Sequence, residues 1–322
     1  MSGRRLVVAS TVLALAAVLV LKVYPNYPSG RLGVLFYYCT SSHEDRREVK
    51  ATKAGVAELP LTPDTQVTVV IHGYTESSYR AWVLNLTDAL LVAEPGSVVI
   101  LVDYWDLVTI SRPYMMANAR LIADTTATLI DLMVQERPVS LSKIHVVGFS
   151  LGGRISGLVG ARVTSGPLGR ITGLDASYPW LPPRTHEEYL DASDAALVVT
   201  LRTSPLGQHS PPGHIDFHAN GGHLQPGCST WYTPNTAEQV CSHYRAVQIM
   251  VEAVRRGGGV FPACRCDAWE GYVDGSCPCD VVNHFGLTTN ASVHGSFHFT
   301  TNPSSPYSRP LEHGANAAWP CQ

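Results

Sequence analysis

The sequence lacks any long run of basic residues; its basic pairs are Arg4-Arg5, Arg46-Arg47 and Arg255-Arg256. With 23 lysine and arginine residues against 26 aspartate and glutamate residues, the formal net charge is −3. The sequence also lacks internal repeats and long low-complexity segments. These absences argue against a nucleic-acid partner and against a repeat architecture. The 322 residues, 45% of them hydrophobic, suit one large folded α/β domain and would also suit two.

The sequence also has no apolar run that is clearly long enough for a full membrane span. Arg4-Arg5 precede an apolar run from Leu6 to Leu21, which Lys22 closes. This pattern is typical of a secretory signal, although the run, slightly short for a full span, also fits an uncleaved anchor. We predict a signal peptide or signal anchor with a linker over residues 1–28 and the folded domain over 29–322. The protein should be secreted, or anchored through residues 6–21 with the domain outside the membrane.

Eight cysteines, an even number, fit four disulfides in an oxidising compartment. A tight cluster is formed by Cys264, Cys266, Cys277 and Cys279. Its Cys-x-Cys pairs leave a zinc site as the competing interpretation, which the secretory signal disfavours. Cys39 and Cys321 could join the two ends of the domain. Glycosylation sequons begin at Asn85 and Asn290, and each is an acceptor only if it is exposed.

Apolar strand patterns alternate with helical periodicity along the chain. The predicted strands are Gly33–Tyr38, Val67–Ile71, Val98–Val102, Ile144–Val147, Ile171–Leu174 and Leu197–Arg202. The predicted helices are Tyr79–Val92, Asn118–Gln135, Leu151–Val163 and His243–Arg256. Near-continuous apolar strands separated by helices indicate an α/β fold with a mostly parallel sheet that is buried on both faces.

The most informative motif is Gly148-Phe149-Ser150-Leu151-Gly152, between a predicted strand and a predicted helix. This is the setting of the G-x-S-x-G nucleophile elbow, in which a tight turn strains the serine backbone and requires small neighbours. The turn lifts the serine hydroxyl above the sheet, and the helix N-terminus points N–H groups at a developing anion. Ser150 is therefore the predicted nucleophile, against the alternative of an ordinary glycine-rich turn that contains a serine.

The other groups that a nucleophilic serine needs follow in the order expected for this fold. Asp175 ends a short apolar strand, at the sheet edge where sites of such folds collect. His243 opens the last predicted helix and is the predicted base. Upstream, a strand runs into His72-Gly73, so the backbone N–H groups of Tyr74 and Leu151 are the predicted oxyanion-hole donors. For His72 we favour a loop-fixing role over a catalytic one.

Ordered motifs make the chain resemble the animal pancreatic-lipase family, which includes secreted phospholipases A1. The motifs are Ile71-His72-Gly73-Tyr74, His145–Gly153, Gly173-Leu174-Asp175, Leu190–Ala195, His214–Gly222, Gln225–Cys228, Cys241–Ala246 and Thr301–Tyr307. The resemblance runs from about Val67 to Arg309 and implies an α/β-hydrolase with Ser150, Asp175 and His243 as its triad. Phe149 departs from the His that is usual in the family. Too little chain follows Arg309 for the C-terminal β-sandwich of larger members, so we expect a single catalytic domain.

The resemblance also bears on cofactors. The family's calcium region is partly matched by Asp191 and Asp194, whereas His186 stands at the upstream acidic position with Glu187 next to it. Acyl transfer by a triad requires no metal, so we expect no cofactor. Neither an obligate protein partner nor a nucleic-acid partner is expected.

The resemblance implies a disulfide between Cys228 and Cys241 that bounds the lid over the site. Only residues 229–240 lie between these cysteines, and the loop 204–212 is also short, as in phospholipase A1 members. Trp231 and Tyr232 could rest at a membrane interface or simply pack the lid on the body. We therefore predict a phospholipase A1 that acts on glycerolipids at lipid surfaces.

Three alternatives remain open. The first is a triacylglycerol lipase. The second is a non-catalytic lipid carrier, like the yolk proteins that share this fold, although loss of the serine would mark that class. The third is a serine peptidase, against which the lipase motifs at His214–Gly222 and Cys241–Ala246 argue.

Overall fold

A computed structural model describes residues 33–109, 115–137, 139–177, 188–208, 210, 212–228, 235–257 and 259–312. Its strands are β1 (Leu35–Cys39), β2 (Arg47–Val49), β3 (Val67–Ile71), β4 (Val98–Asp103), β5 (Ile144–Phe149), β6 (Arg170–Leu174), β7 (Val198–Arg202), β8 (Ile215–Ala219), β9 (Pro262–Arg265), β10 (Val282–His284) and β11 (Gly295–Phe299). Its α-helices are α1 (Lys53–Ala57), α2 (Ala81–Ala93), α3 (Trp105–Thr109), α4 (Met115–Glu136), α5 (Leu151–Arg162), α6 (Asn235–Arg255) and α7 (Trp269–Asp274).

The strands form one sheet in the order β10-β9-β11-β8-β7-β6-β5-β3-β4-β1-β2. From β4 through β11 every neighbouring pair is parallel. At one edge β1 and β2 run antiparallel, and at the other β9 and β10 do. The predicted α/β fold with a mostly parallel central sheet is therefore confirmed, and antiparallel pairs flank it on both sides.

Both faces of the sheet are buried because the central strands are apolar at successive positions. On β3, Val69 faces the core beneath α4 and α5, whereas Val70 faces the core beneath α2 and α6. Alternate side chains of a strand point to opposite faces, so a run of valines supplies both cores at once. The parallel strands thereby present their carboxyl ends together at one edge of a rigid, two-sided core.

The six predicted strands and three of the four predicted helices match the structure within three residues at each end. The fourth helix was predicted to begin at His243 and this start is wrong, because α6 begins at Asn235. Ala237, Glu238 and Gln239 favour helix but add no apolar stripe, so the periodic pattern begins only after them. Prediction also missed β2 and β8–β11, which are only three to five residues long and each contain polar or charged residues among the apolar ones.

No helix within the described ranges is long and apolar enough to cross a membrane. These ranges also contain no separate β-sandwich. The predicted signal or anchor over residues 6–21 and the predicted boundary after residue 28 lie outside the described residues.

Candidate active site

Ser150 occupies the turn between β5 and α5, with backbone angles φ 56° and ψ −119°. A left-handed φ is uncommon for a residue with a side chain and costs free energy that the surroundings must offset. The neighbouring glycines make this turn possible. A Cβ on Gly148 would lie 2.2 Å from the Gly152 carbonyl oxygen, and one on Gly152 would lie 2.2 Å from the Ile71 carbonyl oxygen. The strained turn that the motif predicts is thus present.

Asp175 directly follows β6 and is fully buried. Its Oδ1 accepts hydrogen bonds from the backbone N–H of Thr203, at 2.7 Å, and of Ser204, at 3.2 Å. The Ser204 hydroxyl donates to Oδ2 of the same carboxylate. These three donors come from the loop after β7, and hydrogen bonds of this kind stabilise a buried carboxylate. From the sequence, the loop 204–212 was noted only because it is short, and Ser204 was not predicted as a partner of Asp175.

His243 lies within α6 and reaches the same carboxylate. Its Nδ1 is 2.6 Å from Oδ2 of Asp175. Because a carboxylate only accepts, Nδ1 carries a proton and Nε2 of a neutral ring is left with its lone pair. The ring also packs against Phe149, with centroids 4.6 Å apart, one residue before Ser150. The structure thus brings the predicted base and its predicted orienting group together beside the elbow.

The loop after β3 is held from within by His72, which is fully buried. Its Nδ1 is 2.9 Å from the Gly73 carbonyl oxygen, and its Nε2 accepts from the Tyr104 backbone N–H at 3.3 Å. The Tyr104 ring stacks on the imidazole with centroids 3.9 Å apart. Burial lowers the pKa of His72, which keeps the ring neutral. Both ring nitrogens are therefore engaged with backbone, and this geometry matches the loop-fixing role.

The two predicted oxyanion donors come from segments that meet at Ser150. A Cβ on Gly73 would lie 3.2 Å from the Ser150 Cβ, so the loop that carries Tyr74 borders the elbow. Leu151 is the first residue of α5, and its N–H therefore has no acceptor within the helix. An anion beside Ser150 would find the positive end of α5 and the His72-Gly73 loop next to it.

Three disulfides lie in the described residues. Cys228 and Cys241 are joined, with Cα atoms 5.6 Å apart, and the bond tethers α6 two residues before His243. The clustered cysteines pair as Cys264–Cys279 and Cys266–Cys277, so the alternative of a zinc site there is wrong. Their sulfurs are consumed in covalent bonds and are not thiolate ligands. Cys39 is buried, and the predicted partner Cys321 lies outside the described residues, as do Trp231 and Tyr232 of the lid.

Asp191 and Asp194 bind their own backbone. Asp191 caps the short 3₁₀ helix Ala192–Asp194, its Oδ1 accepting from Ser193 N at 2.7 Å, and Asp194 Oδ2 accepts from Asp191 N at 2.9 Å. Burial raises the pKa of Asp194 to about 7. The described residues hold no group of three metal-ligating side chains, and His186 and Glu187 lie outside them. Within the described residues, these two carboxylates form a capping box.

The two predicted glycosylation sites are exposed in the structure. Asn85 lies on α2, where its Oδ1 accepts a hydrogen bond from Arg255 at 2.7 Å, and Asn290 lies between β10 and β11. Both asparagines are therefore accessible to a glycosylating enzyme, and their glycosylation stays a prediction.

Helices on both faces of a mostly parallel sheet, with a strained serine between a strand and a helix, define an α/β-hydrolase fold. A sequence profile of the family described as Lipase matches residues 26–307. Lipoprotein lipase of Sus scrofa is 30% identical over 276 residues, which cover 78% of this chain and 58% of that protein. Lipase member H of Oryctolagus cuniculus is 32% identical over 266 residues, covering 78% and 57%. The chain belongs to the pancreatic-lipase family and spans somewhat over half the length of these relatives.

Proposed function

We propose that this protein is a serine carboxylic-ester hydrolase that cleaves acyl esters of glycerolipids, with Ser150, Asp175 and His243 as its triad. Ser150 Oγ attacks the ester carbonyl carbon while His243 Nε2 takes its proton. Asp175 holds the ring in the tautomer that Nε2 needs and stabilises the imidazolium. The alcohol then leaves with the proton from His243, and water, activated in the same way, cleaves the acyl-enzyme.

The N–H groups of Tyr74 and Leu151 take the role of oxyanion hole in this proposal. Charge develops on the carbonyl oxygen during attack, and prearranged donors stabilise it without reorganising. Losing one such donor costs about 10²–10³ in kcat in comparable chemistry.

A single observation carries the proposal. Ser150 is held in a strained turn at the start of a helix. Phe149, the residue before it, packs against the ring of His243, whose Nδ1 is 2.6 Å from the buried Asp175 carboxylate. A turn that merely contained serine would have no reason to store backbone strain next to such a pair. The names of the relatives, lipoprotein lipase and lipase member H, point to the same class.

The substrate is proposed to be a phospholipid cleaved as by a phospholipase A1. Residues 235–240 of the segment between Cys228 and Cys241 belong to α6, which leaves residues 229–234 as the part of this segment outside the helix. A large apolar lid must be displaced before substrate enters, and a lipid surface supplies the free energy for this by burying the apolar face. A short segment cannot seal the site, and it leaves room for a polar head group.

The compartment is proposed to be extracellular. Three disulfides in the described residues fit an oxidising environment, and the N-terminal pattern of the sequence is that of a secretory signal or anchor.

An organophosphonate ester tests the chemistry directly. It should label Ser150 and abolish hydrolysis, and Ser150→Ala should remove both labelling and activity. Ser156→Ala is the matched control, since Ser156 is another buried serine, lies within α5, and its replacement should still leave Ser150 labelled. Labelling at another residue, or full activity in Ser150→Ala, would refute the assignment.

A substrate panel tests the specificity. Phosphatidylcholine labelled at sn-1 should lose its fatty acid faster than triolein, and the rate with a short-chain ester should show no jump at its solubility limit. Preference for triolein with a steep jump identifies a triacylglycerol lipase. Lipid binding without any hydrolysis identifies a carrier, and cleavage of peptides alone identifies a peptidase.

A further inference from the structure

A buried carboxylate behind the oxyanion loop has no place in the triad. Glu76 is fully buried and accepts hydrogen bonds from the Gly73 backbone N–H at 2.8 Å, the Trp82 indole at 3.2 Å and the Tyr244 hydroxyl at 2.8 Å. The Arg80 guanidinium lies 3.5 Å from Oε1. Burying a carboxylate is costly unless its oxygens are fully bonded, so this set of partners is a built site and not a surface accident.

The loop that Glu76 holds is strained. Thr75 has a φ of 56°, in the left-handed region that a β-branched residue rarely adopts. Such strain persists only where surrounding contacts determine the conformation. Here Glu76 binds the N–H of Gly73, while His72 Nδ1 binds the Gly73 carbonyl oxygen at 2.9 Å.

These two contacts decide where the Tyr74 N–H points. The Gly73 carbonyl and the Tyr74 N–H belong to one planar trans peptide, so they point in opposite directions. His72 fixes the carbonyl end of that plane, and Glu76 fixes the peptide before it. If the Glu76 contact were lost, Thr75 could relax toward a commoner backbone conformation and rotate the Tyr74 N–H away.

The same carboxylate reaches the other parts of the candidate site. Tyr244 follows His243 on α6, and Trp82 lies on α2. The rings of Trp82 and Tyr244 both pack on Phe149, with centroids 5.7 Å and 5.2 Å away. Glu76 therefore ties the oxyanion loop to the helix that carries His243, around the residue that precedes the proposed nucleophile.

Building on the proposed function, we propose that Glu76 is a positioning residue, which holds the Tyr74 N–H ready for the oxyanion before substrate arrives. Glu76 touches no reacting atom. Its effect is transmitted through Gly73 and appears only when charge develops on the substrate oxygen, since the donor is needed most in the transition state.

Glu76→Gln tests this with little change in shape. The amide has one accepting oxygen, which cannot serve the Gly73 N–H, Trp82 and Tyr244 as the carboxylate does. We expect kcat to fall by about 10- to 100-fold, less than the about 10²–10³ for outright loss of a donor, with KM changed less than about twofold. An alkylboronic acid, whose tetrahedral adduct places an oxygen in the hole, should bind more weakly by a similar factor.

Glu252→Gln is the matched control. Glu252 is another largely buried carboxylate on α6 that accepts from two backbone N–H groups, those of Tyr307 at 2.7 Å and Ser308 at 2.9 Å. Its loss should lower thermal stability and leave kcat and boronate affinity unchanged. Tyr244→Phe removes one bond to Glu76 and should lower kcat several-fold with an intact fold.

The outcomes separate this inference from the proposed function. Unchanged kcat and boronate affinity in Glu76→Gln overturn the inference while the wild-type enzyme still hydrolyses esters. A wild-type protein that neither hydrolyses esters nor binds the boronic acid overturns the proposed function, and this inference with it. If Glu76→Gln does not fold, Tyr244→Phe decides: lowered kcat supports the positioning role, and unchanged kcat refutes it.

Discussion

Replacing Ser204 with alanine removes a single hydroxyl from the centre of the candidate site. That hydroxyl donates to Asp175 Oδ2, which is also the oxygen bound to His243 Nδ1 at 2.6 Å. The same hydroxyl oxygen accepts from the Leu206 backbone N–H at 3.1 Å. The remaining donors, two backbone N–H groups, bind only Oδ1 of Asp175. Ser204→Ala should therefore leave the carboxylate in place with greater freedom to rotate.

Ser204→Ala should lower both the free energy of unfolding and kcat/KM, by different amounts. A hydrogen bond to a charged group contributes about 1.5–3 kcal/mol, and Asp175 is fully buried, so unfolding free energy should fall by about 2 kcal/mol. Catalysis loses only the share that orients His243. If this share is about half of the hydrogen bond's contribution, or about 1 kcal/mol, kcat/KM should fall about fivefold.

Chemical denaturation and steady-state kinetics on a soluble short-chain ester measure the two losses separately. Ser193→Ala is the control, because the Ser193 hydroxyl donates to Asp191 Oδ1 at 2.6 Å in the short 3₁₀ helix, away from His243. It should lose stability and keep kcat/KM. Were Ser204→Ala to retain kcat/KM within about twofold, the argument that the hydroxyl orients His243 through Asp175 would be refuted.

Gly207→Ala would place a Cβ 2.6 Å from Asp175 Oδ1, so we expect kcat to fall about 100-fold through displacement of the carboxylate; unaltered kinetics would contradict this packing. Burial raises the pKa of Asp194 from 3.8 to about 7. Between these two pH values the folded state therefore keeps a proton on Asp194 that the unfolded state has lost. The resulting stability is fully present below about pH 4 and is lost as pH rises to about 7. Thermal melts should show Asp194→Asn gaining stability over wild type at pH 8 but not at pH 4, and an equal difference at both would sink the reasoning. Burial raises the pKa of the Cys39 thiol to about 12, so iodoacetamide at pH 8 should leave native Cys39 unmodified, and rapid labelling seen by mass spectrometry would show it to be accessible. Non-reducing peptide mapping then tests its pairing with Cys321.

Much of the fold was predictable from the sequence because its signals are local. Continuous apolar runs such as Val67–Ile71 indicate strands buried on both faces, and helical periodicity after Ser150 indicates α5. The elbow is local as well: glycines on both sides of Ser150 allow the strained turn that the structure shows. Asp175 and His243 could be named because they follow Ser150 in the chain order typical of this fold.

Where the local signal was weak, prediction failed. The start of α6 at Asn235 was missed because its first turns are polar. Strand β8 was missed because Asp216 and His218 interrupt its apolar residues, so it lacks the continuous apolar run by which the other strands were predicted. The pairing Cys264–Cys279 and Cys266–Cys277 was also beyond the sequence, since cysteine spacing does not encode connectivity.

Only the tertiary structure decided which groups surround the candidate triad. Ser204 lies 29 positions from Asp175, and Tyr244 lies 168 positions from Glu76, so no sequence period relates the members of either pair. Their contacts arise because parallel strands bring their carboxyl ends to one edge of the sheet, where loops distant along the chain meet. The sequence by itself determined the turn that presents Ser150 and the order of its partners. That Glu76 and Ser204 lie next to this candidate site follows only from the folded sheet, because the burial and hydrogen bonding of a carboxylate depend on neighbours in space.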